Sequence, residues 1–328
     1  MKNIALYFDR PHPGGGGNAA ALAALLHRSD GQIVWSPDAG PPRAPRRRPL
    51  DAVRRQVGQA YDFLGEHWEP GDRLFVFGSG RAGSCAQTLV RLLGTVGVLR
   101  PDDDPAQLRD YLLTAYAVPA TARDGADWAR VTRLAAQLHG QPPVAVDYLG
   151  LWHAAGPPGR TGRTADLSPA VLAARHALAI DARVAPVLLG GDREDVQQVW
   201  FRGARCDLTR GRHASAALAD IALEWVLDGA VAAGLDLADP VAAPASTADD
   251  ALAGSAHPVP LRRVPEDAAV HASVERYLRA HPGYWRRLPA RIRWVDPEWA
   301  ARGERLMAVP PSTRIETLAA PPVLASVS

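Results

Sequence analysis

Short apolar runs of strand length recur along the chain at Ile4–Phe8, Gln32–Trp35, Arg73–Phe77, Val144–Leu151 and Gln197–Phe201. Between them, alanine, leucine and valine recur with helical spacing. This predicts helices over Asn18–His27, Leu50–His67, Ser84–Leu93, Pro105–Ala117, Trp128–Leu138, Pro169–Ala179 and Ala216–Ala233. The last is read as starting near Ser215, with Asp220 in its first turn, and stopping before Gly234. Alternation of this kind buries both partners only when a mainly parallel sheet is flanked by helices, so the fold class is α/β.

Three stretches rich in proline, glycine or small polar residues, Pro41–Pro49, Gly156–Thr164 and Val241–Ala256, read as loops. The expected division is a core over residues 1–240, a loop over 241–256, a C-terminal extension packing on the core over 257–312, and a disordered tail over 313–328. The extension lacks a regular pattern but is rich in tryptophan and arginine, with Trp285, Trp294 and Trp299. Those aromatics suit either an interface or the capping of a sheet end.

Composition narrows the function classes. At 328 residues the chain is long enough for a substantial core, and its apolar runs fall far short of the roughly 20 residues of a membrane helix. The opening segment is too short in apolar residues for a signal peptide and lacks a small-residue cleavage site. The net charge of +2 argues against a general nucleic-acid binder. Lys2 is the only lysine among 37 basic residues, a bias that fits base composition better than a binding role. The only cysteines, Cys85 and Cys206, exclude a disulfide framework and a cysteine-rich zinc site. A cytoplasmic location, or export by a route without a signal, is expected; no cofactor or metal is implied, and peripheral lipid contact stays compatible with the sequence.

The segment Asp72–Ala86 reads as a buried strand, a tight glycine turn and a helix, the layout of a nucleophile elbow. Here G-x-S-x-G is replaced by Gly78-Ser79-Gly80-Arg81-Ala82, so the nucleophile position holds Gly80. A phosphate or nucleotide loop over Gly78–Ser84 and an ordinary glycine turn are the rival readings. No acidic residue stands at a strand end some twenty residues on, as a dinucleotide site would need.

Phe75–Ala86 resembles the F-x-F-G-F-S-R-G-A segment of an α/β-hydrolase family that includes the catalytic domains of type VI secretion phospholipase effectors. Further resemblances follow in order. Phe8-Asp9 is similar to the start of the family's D-G-T-x-N motif, with Arg10-Pro11 where Gly-Thr is expected, and Asn18 is similar to the next landmark. Tyr148–Gly156 resembles F-L-G-V-W-D-T-V-G, His176–Arg183 resembles H-A-L-A-L-D-E-R, and Gln198–Leu208 resembles Q-V-W-F-P-G-V-H-S-D-V. His271–Arg276 resembles a C-terminal signature.

The resemblance implies a Ser-Asp-His triad whose three positions here hold Gly80, His153 and Arg205. Glycine carries no nucleophile, a guanidinium stays protonated and cannot serve as a base, and histidine lacks a fixed negative charge. Losing triad members together leaves at most a residual acceleration of roughly 10³–10⁴. Asp9, Arg10, Gly78 and Arg81 mark the former oxyanion and elbow region. The resemblance therefore implies an inactive relative that binds a protein or small ligand in the former cleft. The alternative is an ester or phospholipid hydrolase rebuilt on Ser79, His153 and Asp207. His153 with Asp207 and Asp9 would also supply metal ligands, and His153 with Arg205 would suit an ion-paired plug. Ser84 and Cys85 stand where a helix N-terminus lowers a thiol pKa, or serve as cap and filler. His176 and Asp181 read as a hydrogen bond closing a helix end, His12 as a loop residue, and Arg46–Arg48 as a solvated charge run or a contact for an acidic partner or anionic lipid.

Overall fold

The computed structural model describes residues 1–9, 16–37, 49–99, 111–114, 133, 143–156, 164–191, 193–239, 243–254 and 264–301. Arg10, His12, Arg46–Arg48, the tail over 313–328 and nearly all of the helices expected over Pro105–Ala117 and Trp128–Leu138 lie outside the described residues.

Eight strands form one sheet: β1 (Asn3–Phe8), β2 (Gln32–Trp35), β3 (Arg73–Ser79), β4 (Val146–Trp152), β6 (Val171–Ala179), β8 (Val196–Phe201), β9 (Ala268–His271) and β10 (Ile292–Val295). Their order is β2-β1-β3-β4-β6-β8-β9-β10, and every neighbouring pair is parallel. A separate parallel pair joins β5 (Thr164–Asp166) to β7 (Leu188–Gly190). It is tied to the main sheet by Gln198, whose amide bonds the Leu189 N–H and C=O, both at 2.8 Å.

The central strands are continuous apolar runs because both faces are covered. On one face Ile4, Leu6, Phe8, Leu74, Val76, Leu149 and Leu151 pack against α2 (Pro49–His67) and α3 (Gly83–Val96). On the other, Ala5, Phe75, Phe77, Tyr148 and Trp152 pack against α1 (Asn18–Leu25) and α5 (Ala216–Ala232). Each large apolar side chain withdrawn from water stabilises the fold by about 1.5–3 kcal/mol. Asn18 joins these helices: its buried amide donates to the Leu208 and Ala219 carbonyls at 2.8 and 2.9 Å and accepts from Arg210 Nε at 3.0 Å. Two short helices, α4 (Arg205–Leu208) and α6 (Ala272–Ala280), follow β8 and β9.

The structure corrects three expectations. Pro169–Ala179 is not a helix: Val171–Ala179 is the strand β6, hydrogen-bonded between β4 and β8. Its alanines and leucines have helical spacing, yet the position between two strands decides the conformation, because tertiary context overrides weak propensity. His176 and Asp181 accordingly lie on and just beyond a central strand, not at a helix end. Asp220 stands outside the first turn of α5, which carries no acidic residue; it is ion-paired with Arg210 instead. Residues 268–295, patternless in the sequence, contribute β9 and β10 to the same sheet.

Candidate functional site at the carboxyl edge of the sheet

With all eight strands parallel, their carboxyl ends share one edge, where open α/β sheets place their sites. The register sets Gly78 opposite Leu151, Ser79 opposite Trp152, and Trp152 opposite Ala177. The residues after β3, β4, β6 and β8, namely Gly80, His153, Asp181 and Arg202, therefore line the same edge.

The turn after β3 is tight and left-handed, with Gly80 where the resemblance expects serine. Gly80 is buried, has φ +55°, and opens a short 3₁₀ turn, Gly80–Ala82, that leads into α3. A side chain at a left-handed position is strained, and here glycine relieves that strain. Gly78 meets the tightness demanded of the flanking residue, since a Cβ there would lie 2.7 Å from Gly83 Cα. The Gly80 carbonyl accepts from Ala155 N–H at 2.9 Å, and Thr209 Cγ2 lies 3.6 Å from where a Gly80 Cβ would stand. The loop after β8 is thus seated over the turn.

His153, fully buried with φ +42°, occupies the position of the expected acid. Its Nδ1 accepts from Ala179 N–H at 3.1 Å, so Nδ1 carries no proton; Nε2–H then donates to the Val184 carbonyl at 2.9 Å. Backbone groups thus hold both ring nitrogens of a neutral imidazole. Behind it, His176 Nε2 accepts from Ala154 N–H at 3.0 Å, and Nδ1 is buried without a partner. Burial, and next the proximity of His153, pull the His176 pKa down to about 3.

Arg205 begins α4, is half-buried and makes no ion pair among the described residues. Asp207 is buried, and its two oxygens accept from Ala204 N–H at 2.8 Å and Ser215 N–H at 2.9 Å. Backbone groups thus hold both His153 and Asp207, and Arg205 contributes no ion pair to a plug among the described residues. Ser79 is buried too, and its hydroxyl points to the Thr209 carbonyl at 3.5 Å, a weak contact. Asp9 accepts from Ala20 N–H at 3.0 Å, satisfying a first-turn donor of α1. Arg81, the middle residue of the turn, is exposed.

The thiol reading is corrected as well. Burial pushes the Cys85 pKa up to about 12, and its Sγ donates to Gln56 Oε1 at 3.2 Å, while Ser84 Oγ donates to the Arg81 carbonyl at 2.9 Å. Desolvation at this position outweighs the helix N-terminus. Among the described residues, no three His, Cys, Asp or Glu side chains gather as metal ligands do, and no helix is long and apolar enough to cross a membrane.

Two polar clusters escape sequence reasoning. Asp181, buried after β6, accepts from Gly203 N–H at 3.0 Å and Tyr284 Oη at 2.9 Å and is ion-paired with Arg287. Arg202 lies beside it with its guanidinium 3.9 Å above the Tyr277 ring. The second is a Ser-His-Asp set drawn from the end of β9, the start of α6 and the residue after β10: Ser273 Oγ lies 2.8 Å from His271 Nδ1, and His271 Nε2 lies 3.3 Å from Asp296 Oδ2. The same Nδ1 also accepts the Ser273 N–H at 3.2 Å, and serine and histidine are both buried, so this set caps α6 and ties it to the end of β10. The only sequence signal was His-Ala-Ser at a strand-to-helix junction.

A parallel helix-flanked sheet whose third strand runs through a left-handed elbow into a helix defines an α/β-hydrolase-like protein. Within that class, residues 51–229, more than half of the chain, match the family described as "T6SS, Phospholipase effector Tle1-like, catalytic domain", and the chain belongs to it. No curated protein matches. Two solved structures are similar at 12% identity. One is an uncharacterized protein from Pseudomonas aeruginosa (TM-score 0.42, covering 73% of this chain and 47% of that one). The other is the Tle1 effector bound to the VgrG spike from the type 6 secretion system (TM-score 0.33, 64% and 51%). This chain spans about half the length of each.

Proposed function

We propose that this member of the family is catalytically silent and acts by binding a protein or a small ligand around the former cleft. The observation that carries the reading is Gly80 at φ +55° in the tight turn after β3. Acyl transfer needs an oxygen nucleophile at that turn and a neutral imidazole to take its proton. The nucleophile position has no side chain, and the base position carries the Arg205 guanidinium. The imidazole that is present, His153, spends both nitrogens on backbone groups. Ser79 directs its hydroxyl at the Thr209 carbonyl, which disfavours a rebuilt hydrolase.

The test is labelling of the whole chain with a fluorophosphonate probe, alongside turnover of short esters and phospholipids, for wild type, Ser79→Ala and His153→Ala. The expected outcome is labelling and turnover no greater than in a heat-denatured control. Activity abolished by either substitution would show a rebuilt site and refute the proposal.

A further inference from the structure

The sheet face that packs on α5 is apolar along β4, where Tyr148 and Trp152 meet the helix, but it turns polar one strand further out. On β6, Arg175 faces the same way as Ala173 and Ala177. The register carries that face outwards: Arg175 stands opposite Gln197 on β8, and two residues on, Val199 stands opposite Ala269 on β9, itself opposite Arg293 on β10. Residues two apart on a strand share a face, as do residues opposite one another, so all five point to the same side. They line one cavity of about 510 Å³, walled by Trp225 of α5 and by Val295.

Arg175 is built into this cavity. Gly229 of α5 makes room for it, since a Cβ there would lie 2.6 Å from Arg175 Cδ and 2.7 Å from its Nε. The guanidinium lies over the Trp225 ring, 5.0 Å from its centroid, and donates to the Trp225 carbonyl. The half-buried side chain makes no ion pair among the described residues, and most of its donors have no acceptor there. Stacking on Trp225 accounts for the position of the guanidinium but not for a charge drawn out of water without a counter-charge. Arg293, exposed on the far wall, also makes no ion pair among the described residues. The other charges of the lining are engaged or stand at the mouth: Arg193 is ion-paired with Asp195, Asp296 lies 3.3 Å from His271 Nε2, and Glu194 is exposed.

We propose that this recess binds a small organic anion with an acid group, carboxylate or phosphate, at each end, one held by Arg175 and the other by Arg293. The planar guanidinium fork matches either group. Three strand spacings and a two-residue offset separate the two arginines, about 16 Å between their backbones. With the Arg175 guanidinium fixed over Trp225, an anion that also meets Arg293 is extended, its carbon skeleton lying over Val199 and Ala269. Gly80, His153 and Asp207 are not among the lining residues, so the proposal stands or falls separately from the silence of the elbow.

The test is isothermal titration calorimetry of the whole chain with citrate and with fructose 1,6-bisphosphate, each set against inorganic phosphate and uncharged fructose. Wild type is expected to bind one of the two extended anions about tenfold or more tightly than inorganic phosphate, and not to bind fructose. Which of the two is preferred tells a carboxylate ligand from a phosphate one. Arg175→Met and Arg293→Gln are each expected to weaken binding about tenfold. Arg293 is on the surface, so Arg293→Gln decides the matter even where circular dichroism shows Arg175→Met to be misfolded. Failure of both extended anions to bind more tightly than inorganic phosphate, or binding unchanged in Arg293→Gln, would overturn the proposal. So would binding that is lost only in Arg205→Gln, which would place the anion at the carboxyl edge of the sheet.

Discussion

His176 offers a quantitative check on the interior behind the elbow. In the folded chain burial holds its pKa at about 3, whereas an unfolded histidine titrates near 6.5. Between those values the unfolded chain binds more protons, so stability rises with pH; the contribution is present above about pH 6.5 and is lost as pH falls towards 3. The whole window of about 3.5 units corresponds to about 5 kcal/mol at 1.36 kcal/mol per unit. From about pH 7.5 to about pH 5, the imidazole accounts for a loss of about 2 kcal/mol. The perturbation is His176→Gln, which keeps an acceptor for Ala154 N–H but does not titrate. Urea unfolding of both proteins at the two pH values isolates the effect, because the remaining histidines are common to both. Wild type should lose about 2 kcal/mol more than the variant on acidification. Equal losses would mean that His176 takes up its proton readily in the folded state, and the reasoning on its burial would fail.

Two further outcomes test the interior. Asp181→Asn strips the charge opposite Arg287 while keeping an acceptor for Gly203 N–H. It should cost about 3 kcal/mol in urea melts, and less when Arg287 is also replaced by methionine, because breaking one side of such a pair costs more than removing both partners. The two thiols should separate in Ellman titration: half-buried Cys206 reacts in the native protein, whereas Cys85, pushed up to about 12 by burial, reacts only once urea unfolds the chain. Rapid native reaction of both would contradict the packing of α3 against α2.

The parallel sheet and the elbow were legible in the sequence because their signals are local. β1, β3 and β4 are apolar runs covered on both faces, and Gly78-Ser79-Gly80 follows one of them directly. β6 was not legible: Val-Leu-Ala-Ala-Arg-His-Ala-Leu-Ala has helical spacing, and only its place between β4 and β8 makes it a strand. β9 and β10, four residues each, are too short to show alternation. In the site, the identities at 80, 153 and 205 could be read directly, but the partners of His153 could not, because backbone groups have no sequence signature. The hold of Tyr284 and Arg287 on Asp181 spans more than a hundred residues and becomes visible only in three dimensions.

The strand order also bears on how the chain assembles. From β1 to β3, β4, β6, β8, β9 and β10, each strand is added to the outer side of one that precedes it in sequence. A chain emerging from the ribosome therefore meets a docking edge already synthesised at each step, which shortens the time any parallel strand waits unpaired. One early element does wait: the Asn18 amide gains its carbonyl partners only when Leu208 and Ala219 have been made, about two hundred residues later. The nascent chain can thus extend its sheet in order, but α1 reaches its final seat late, under helix α5.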